Sequence, residues 1–451
     1  MNTVKRLAKN MGAVLLAQVA EPACSFILVL FIARYLGVSG LGKFSIAISL
    51  FFIFQTISSL GFTHLITREV AREKSKAAKY LINASFIGFL FSALMAGVMC
   101  LVGYLLNYSA DTAMAIYILS FALIPATLAL ICQSICMAFE RLEFVSLAVI
   151  IGSSFKVLFG LYILFKGFGL VGLMVVVLGS DLLILFMSLY FVLECIGKPL
   201  DRLDLGFCKW IITATPVFAL ILICNTFRWN IDILMLSKFK GATEVGFYSA
   251  AHKLMKIGRM LIMGYAMAFQ PVIFRLFKES SEKFIMACSK SIRYLFIAML
   301  PIAVGTTLLS DKVILFFYKS KFLASANVLR ILIWILALSG ANIVLAYTLI
   351  ASNNQRINLH GNLLNLISNV ALNLLLIPKF GFLGAGMASF ASSCIFLSFQ
   401  YSFVSKNLFK LDLVEIGAKP IISAALMAII ILLCRGFNLF LLIFVSAAAY
   451  V

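Results

Sequence analysis

Residues 170–196 read LVGLMVVVLGSDLLILFMSLYFVLECI, and within them only Asp181 and Glu194 are charged. A helix needs about 20 apolar residues to cross a hydrocarbon core ~30 Å thick. This stretch therefore predicts a membrane-spanning helix with one carboxylate near its middle. Comparable runs, bounded by charges or by Gly and Asn breaks, occupy 11–36, 43–67, 79–106, 112–139, 143–166, 208–237, 245–275, 285–310, 327–352, 357–378, 383–405, 418–435 and 438–451. With 170–196 they predict about 14 transmembrane helices, an all-α polytopic membrane protein. The connections are short. The longest, about 311–326, carries Lys312, Lys319 and Lys321 and leaves no room for a folded aqueous domain. The last run ends at Val451 without a polar tail, so the final helix is short or the chain incomplete.

The composition agrees. Of the 451 residues, 63% are hydrophobic and 12% charged, against roughly half and a quarter in soluble proteins. That excludes soluble enzymes, secreted disulfide scaffolds and disordered chains. Cysteines such as Cys24, Cys100, Cys224, Cys394 and Cys434 lie in apolar runs with no CxxC spacing, as small packing residues do. The N-terminus, with Lys5, Arg6 and Lys9, imitates a signal peptide, but its apolar run continues past Ala17 and Ala20 to Phe31, which predicts a retained helix.

The net charge of +20 is mostly a topology signal. Of the 37 Lys and Arg residues, 21 fall on the side of the N-terminus, 11 on the opposite side, and five within spans. The basic excess predicts a cytoplasmic N-terminus, and no nucleic-acid partner is needed to explain it.

An internal repeat divides the chain. Residues 33–47 (ARYLGVSGLGKFSIA) align with 237–251 (SKFKGATEVGFYSAA), pairing Gly37 with Gly241, Gly42 with Gly246 and Phe44 with Tyr248. A second match pairs Gly169 and Gly172 with Gly381 and Gly384. Six helices separate the copies, so both run in the same direction. The expected organisation is two parallel six-helix bundles, 1–200 and 205–410, and a terminal hairpin, 411–451.

Gly37 to Lys43 fits seven positions of a phosphate-binding P-loop, but Phe44 stands where Ser or Thr must hold magnesium, and no strand precedes it. No nucleotide, cofactor, metal or catalytic residue is assigned. Charges deep in the spans are more informative, because each costs about 2.5–3.5 kcal/mol on insertion scales. Lys156 lies about 15 Å from the end of its span, and Asp181 and Glu21 are similarly deep. Arg228 and Asp232, four apart, share a helix face and can pair. His252, Lys256 and Arg259 recur on one face, with Lys253 beside them, and few deep acids exist to neutralise them. Such a stripe is expected to face a water-filled cavity that receives an anion. Lys156, Arg228, His252, Lys253, Lys256 and Arg259 are thus the candidate substrate contacts. Glu21, Asp181 and Asp232 are the candidate coupling carboxylates. Pro22, beside Glu21, is a candidate hinge.

Asn230-Ile231-Asp232-Ile233-Leu234-Met235-Leu236, then Gly241 and Val245-Gly246-Phe247-Tyr248-Ser249-Ala250-Ala251, resembles the signature of the polysaccharide and O-antigen flippases of the multidrug/oligosaccharidyl-lipid/polysaccharide exporter superfamily. Ala33 to Gly42, Leu60-Gly61-Phe62 with Thr67-Arg68-Glu69, and Phe380-Gly381 to Gly384-Ala385 extend the resemblance over nearly the whole chain. It implies two bundles around a central cavity in a bacterial inner membrane. It further implies alternating access that carries an undecaprenyl-diphosphate-linked oligosaccharide, for O-antigen or another surface polysaccharide, from the cytoplasmic to the periplasmic leaflet. Membrane lipids and a polysaccharide polymerase machinery are the implied partners. A cation-coupled drug exporter of the same superfamily is the alternative, although the deep charges are five basic to three acidic. A membrane glycosyltransferase or polymerase would need a sizeable external loop. Transport, not enzyme catalysis, is expected.

The basic asymmetry makes a direct prediction. A reporter fused after Lys79 reads as cytoplasmic and one fused after Asp111 as periplasmic; the reverse labelling contradicts the orientation.

Overall fold

The computed structural model describes residues 3–197, 201–434, 442 and 450. Among these the regular structure is helical, with no strand, as hydrocarbon demands: a helix satisfies its own backbone polar groups, whereas an open sheet edge does not. In chain order the helices are α1 (Thr3–Ser58), α2 (Phe62–Arg72), α3 (Ala77–Leu105), α4 (Ala110–Ala138), α5 (Leu142–Phe165), α6 (Gly169–Ile196) and α7 (Leu205–Ala214). There follow α8 (Pro216–Lys240), α9 (Ala242–Glu279), α10 (Ser281–Tyr318), α11 (Ser325–Leu332), α12 (Trp334–Ala351), α13 (Gln355–Asn407) and α14 (Leu413–Leu433). Ten stretches among the described residues are long and apolar enough to cross a membrane. This is a multi-pass membrane protein.

The ten stretches relate simply to the expected runs. α1 and α13 each carry two runs through a bend, at Gly37 (φ 69°) and Gly381 (φ 58°). α8 carries Arg228, Asp232, Lys238 and Lys240 and is not among the ten. The run 438–451 lies outside the described residues apart from Leu442 and Tyr450.

Several boundaries differ from the sequence reading, each for a local reason. The run 43–67 breaks at Leu60 and Gly61, both at positive φ, before α2 begins. The run 208–237 divides at Thr215, and α8 restarts with Pro216, whose missing N–H is harmless only in a first turn. The expected loop 311–326 is partly helical: α10 continues to Tyr318. Asp311 there accepts Arg330 Nη2 at 2.6 Å, and Arg330 Nε donates to Ser310 at 2.7 Å. α1 stays helical through Pro22 and departs from helical angles at Gly37 instead.

Packing divides the chain into two units, Met1–Asn230 and Ile231–Val451. In the first, α4 packs against α1, α2, α3 and α6, and 67% of its apolar window is buried. In the second, the continuous stretch of α11 and α12 contacts α9, α10 and α13, and 61% of its window is buried. Elsewhere the buried share is 22–33%, and the larger remainder includes the surface that hydrocarbon would cover. The aligned glycines adopt matching backbones: Gly37 and Gly241 both take positive φ, as do Gly169 and Gly381. Only glycine enters that region without strain. Gly384 is needed for space instead, since a Cβ there would meet the carbonyl of Leu376.

In the first unit a polar clasp docks α7 on α3. Lys79 Nζ reaches Asp204 Oδ2 at 2.8 Å, and the Asp204 backbone N–H donates to Asn83 Oδ1 at 2.8 Å. Asp204 Oδ1 caps α7 by accepting the Phe207 N–H at 3.0 Å. Tyr80 meets Phe207 edge-on at 4.9 Å. The Lys79 hydrogen bond, then the Phe207 N–H, hold the Asp204 carboxyl below its ordinary pKa. A depressed carboxylate stabilises the fold fully above the ordinary value and loses that contribution as pH falls through the depressed one. Wild type and Asp204→Asn should therefore differ in melting temperature near neutral pH and converge in acid. A difference that does not change with pH contradicts the clasp.

Candidate functional site

The second unit holds a carboxylate enclosed by donors. α8 presents Asp232, which is 5% exposed. The turn at Gly241 starts α9 and brings Tyr248 back to Asp232, its hydroxyl donating to Oδ2 at 2.7 Å. From α13, Asn373 Nδ2 donates to Oδ1 at 2.7 Å, and the Ser389 hydroxyl donates to Oδ2. Asn373 also bonds Asn369 Oδ1 at 3.0 Å, whereas its own Oδ1 is buried without a partner. The His252 ring stacks on Tyr248 at 5.4 Å. Burying a carboxylate is tolerated only when hydrogen bonds replace its hydration, and here three side chains from two helices do so.

The bend in α13 is held separately. Glu244, in the first turn of α9, accepts the backbone N–H of Phe382 at 2.9 Å. This occupies the N-terminal end of the helix half that follows Gly381, where a negative charge is favoured.

The basic residues lie along α9. Its enclosed face runs through Tyr248, Met255, Ile262, Ala266 and Ile273. At 100° per residue, His252 and Arg259 stand about 40–60° from Met255, Lys256 about 100°, and Lys253 about 160°. The stripe thus runs from the edge of the packed face outward. His252 is buried, whereas Lys253, Lys256 and Arg259 are half-buried.

In the first unit, Lys156 of α5 and Asp181 of α6 stand level on neighbouring helices, both half-buried. Arg228 lies over the Trp229 ring at 5.2 Å. Glu21 is exposed on α1. Lys43, which fits the P-loop lysine position, is engaged with Asp111 at 2.9 Å. Among the described residues no cluster of three His, Cys, Asp or Glu side chains is arranged to hold a metal.

Reading the sequence missed Asn373 and Ser389, the α13 partners of Asp232, and Asn369, which accepts from Asn373. A signal existed: Asn365, Asn369 and Asn373 recur every fourth residue in an apolar helix, and all three are buried. Replacing Tyr248 with Phe should cost about 1.5–3 kcal/mol, the range for a hydrogen bond to a charged group, read by unfolding of the detergent-solubilised protein. Asp232→Ala, which strands three donors, should cost more; wild-type stability in both variants would contradict the network.

A family model described as polysaccharide biosynthesis protein matches residues 7–277, and a second, MatE, matches 218–375. The probable low-salt glycan biosynthesis flippase Agl15 of Haloferax volcanii is 25% identical over 190 residues, 39% of this chain and 40% of that protein. The chain therefore matches less than half the length of that relative. Among solved structures, lipid II flippase MurJ in an inward closed conformation superposes with a TM-score of 0.83 at 15% identity, covering 98% of this chain and 97% of that one. An inward-facing multidrug resistance MATE family transporter gives 0.68 at 14% identity, covering 87% and 98%. These structural likenesses are of fold. The match to residues 7–277 takes in more than half of the sequence, and the chain belongs to the polysaccharide biosynthesis protein family of the multidrug/oligosaccharidyl-lipid/polysaccharide exporter superfamily.

Proposed function

We propose that the protein is a flippase that moves an undecaprenyl-diphosphate-linked oligosaccharide, a unit of O-antigen or another surface polysaccharide, from the cytoplasmic to the periplasmic leaflet of a bacterial inner membrane. The observation that carries this reading is the basic stripe on α9, in a chain of the polysaccharide biosynthesis family. Three or four basic side chains facing lipid would cost several kcal/mol. A diphosphate supplies two or more negative charges and accepts charge-assisted hydrogen bonds. Lys256 and Arg259 are the main diphosphate contacts in this proposal, and His252, Lys253, Lys156 and Arg228 are accessory ones. Glu21, Asp181 and Asp232 are the carboxylates available to couple the cycle to a cation. The name of the Haloferax volcanii relative, a glycan biosynthesis flippase, supports the substrate class.

A cation-coupled drug exporter is the second reading, favoured by the MatE match over 218–375. The basic excess among the deep charges argues against a cationic drug.

Replacing Lys256 or Arg259 with Ala should abolish flipping while leaving membrane insertion intact. Arg259→Lys should restore it only in part, because the guanidinium fork that grips two oxygens is lost. Normal surface polysaccharide in cells carrying both Ala substitutions at native expression contradicts the proposal.

A further inference from the structure

α5 and α6 pack antiparallel and close together, and small residues set their register. A Cβ on Gly152 would meet Ile184 and, at 3.6 Å, the Ser180 carbonyl; one on Gly179 would meet Phe155 at 3.6 Å. A Cβ on Gly160 would meet Leu173 at 3.3 Å, and one on Gly172 would meet Ile163 at 2.9 Å. The same register places Lys156 opposite Asp181. Each lies about 14–18 Å along its helix from the nearer end, deep in the apolar span. Asp181 Oδ2 is buried without a hydrogen-bond partner. Lys156 is within electrostatic reach of it, yet among the described side chains no hydrogen bond or ion pair joins them.

That arrangement suits an ionised pair badly. In a low-dielectric interior an ammonium and a carboxylate attract strongly, and a charged oxygen without a donor is costly to bury. A neutral carboxyl removes both difficulties. Asp232 differs, because its oxygens are taken by Tyr248, Asn373 and Ser389. α1, α4 and α5 pack on α6. Of their ionisable groups among the described residues, Lys156 is the one in electrostatic reach of Asp181. Glu143 and Glu194 lie about 20 Å away along α5 and α6, Asp111 is in the first turn of α4, and Glu21 of α1 is exposed.

We propose that Asp181 is a proton-binding site of the first unit, with Lys156 as its alternative partner. With the proton bound, the carboxyl is neutral and Lys156 is held apart. When the proton leaves to water, the carboxylate closes on Lys156 and draws the α5–α6 pair together. The ligand is a proton and not a metal cation, because the Lys156 ammonium repels a second positive ion but not a neutralised carboxyl. Its use in driving transport rests on the proposed flippase activity; the site itself does not.

Infrared difference spectroscopy on the purified protein in lipid nanodiscs, titrated from acid to alkaline pH, tests this. A protonated-carboxyl band that vanishes as pH rises is expected. Asp181→Asn removes that band, Asp181→Glu shifts its frequency, and Lys156→Met moves the midpoint of its loss to higher pH. A band untouched by Asp181→Asn, or lost in Glu21→Gln or Asp232→Asn instead, overturns the proposal. Displacement of the band by sodium at constant pH also overturns it, since that marks a metal-cation site. If Asp181→Asn does not fold, the shifts expected of Asp181→Glu and Lys156→Met decide for or against the site, and a band unmoved in both overturns it. Flipping by wild type in liposomes is measured separately, so its absence would count against the flippase reading alone.

Discussion

Charge and unpaired polar groups are expensive in hydrocarbon, and that expense organises the molecule. It makes the backbone helical, places polar side chains among neighbouring helices, and leaves each deep ionisable group needing a reason to be there. Asp232 is enclosed by Tyr248, Asn373 and Ser389. Asp311 and Arg330 neutralise each other at the end of an extended α10. For the α9 stripe and the Asp181–Lys156 pair the proposed answer to the same expense is exchange of a ligand.

Much of the fold is legible in the sequence because span length and glycine placement are local properties. Residues 170–196 read as a membrane helix, and α6 covers Gly169–Ile196. The aligned pairs Gly37/Gly241 and Gly169/Gly381 all take positive φ, a requirement that Cβ sterics write into the sequence at each turn. What is illegible depends on distant partners. Asp311 and Lys312 read as a loop because a single chain segment does not show that Arg330 will neutralise the acid. α7 reads as the start of a longer helix because its docking depends on Asn83 and Lys79, more than a hundred residues earlier.

The candidate site divides along the same line. The α9 stripe follows from helical spacing and is visible at once. Asp232 is visible as a deep carboxylate, but two of its three donors come from opposite sides of the bend in α13 and emerge only when that helix folds back beside Asp232 and Tyr248. An Arg228–Asp232 pair looks attractive from spacing alone. The three donors around Asp232 meet the need that such a pair would have met.

Diphosphate recognition by the α9 stripe is the central claim, and leaflet transfer by the purified protein in liposomes measures it most directly. Two glycolipids with the same sugar and lipid would be compared, one joined through a diphosphate and one without phosphate. The account predicts that only the diphosphate-linked lipid changes leaflet, and that free pyrophosphate slows the transfer. Equal movement of both lipids, or transport of cationic drugs with no movement of either, would contradict it.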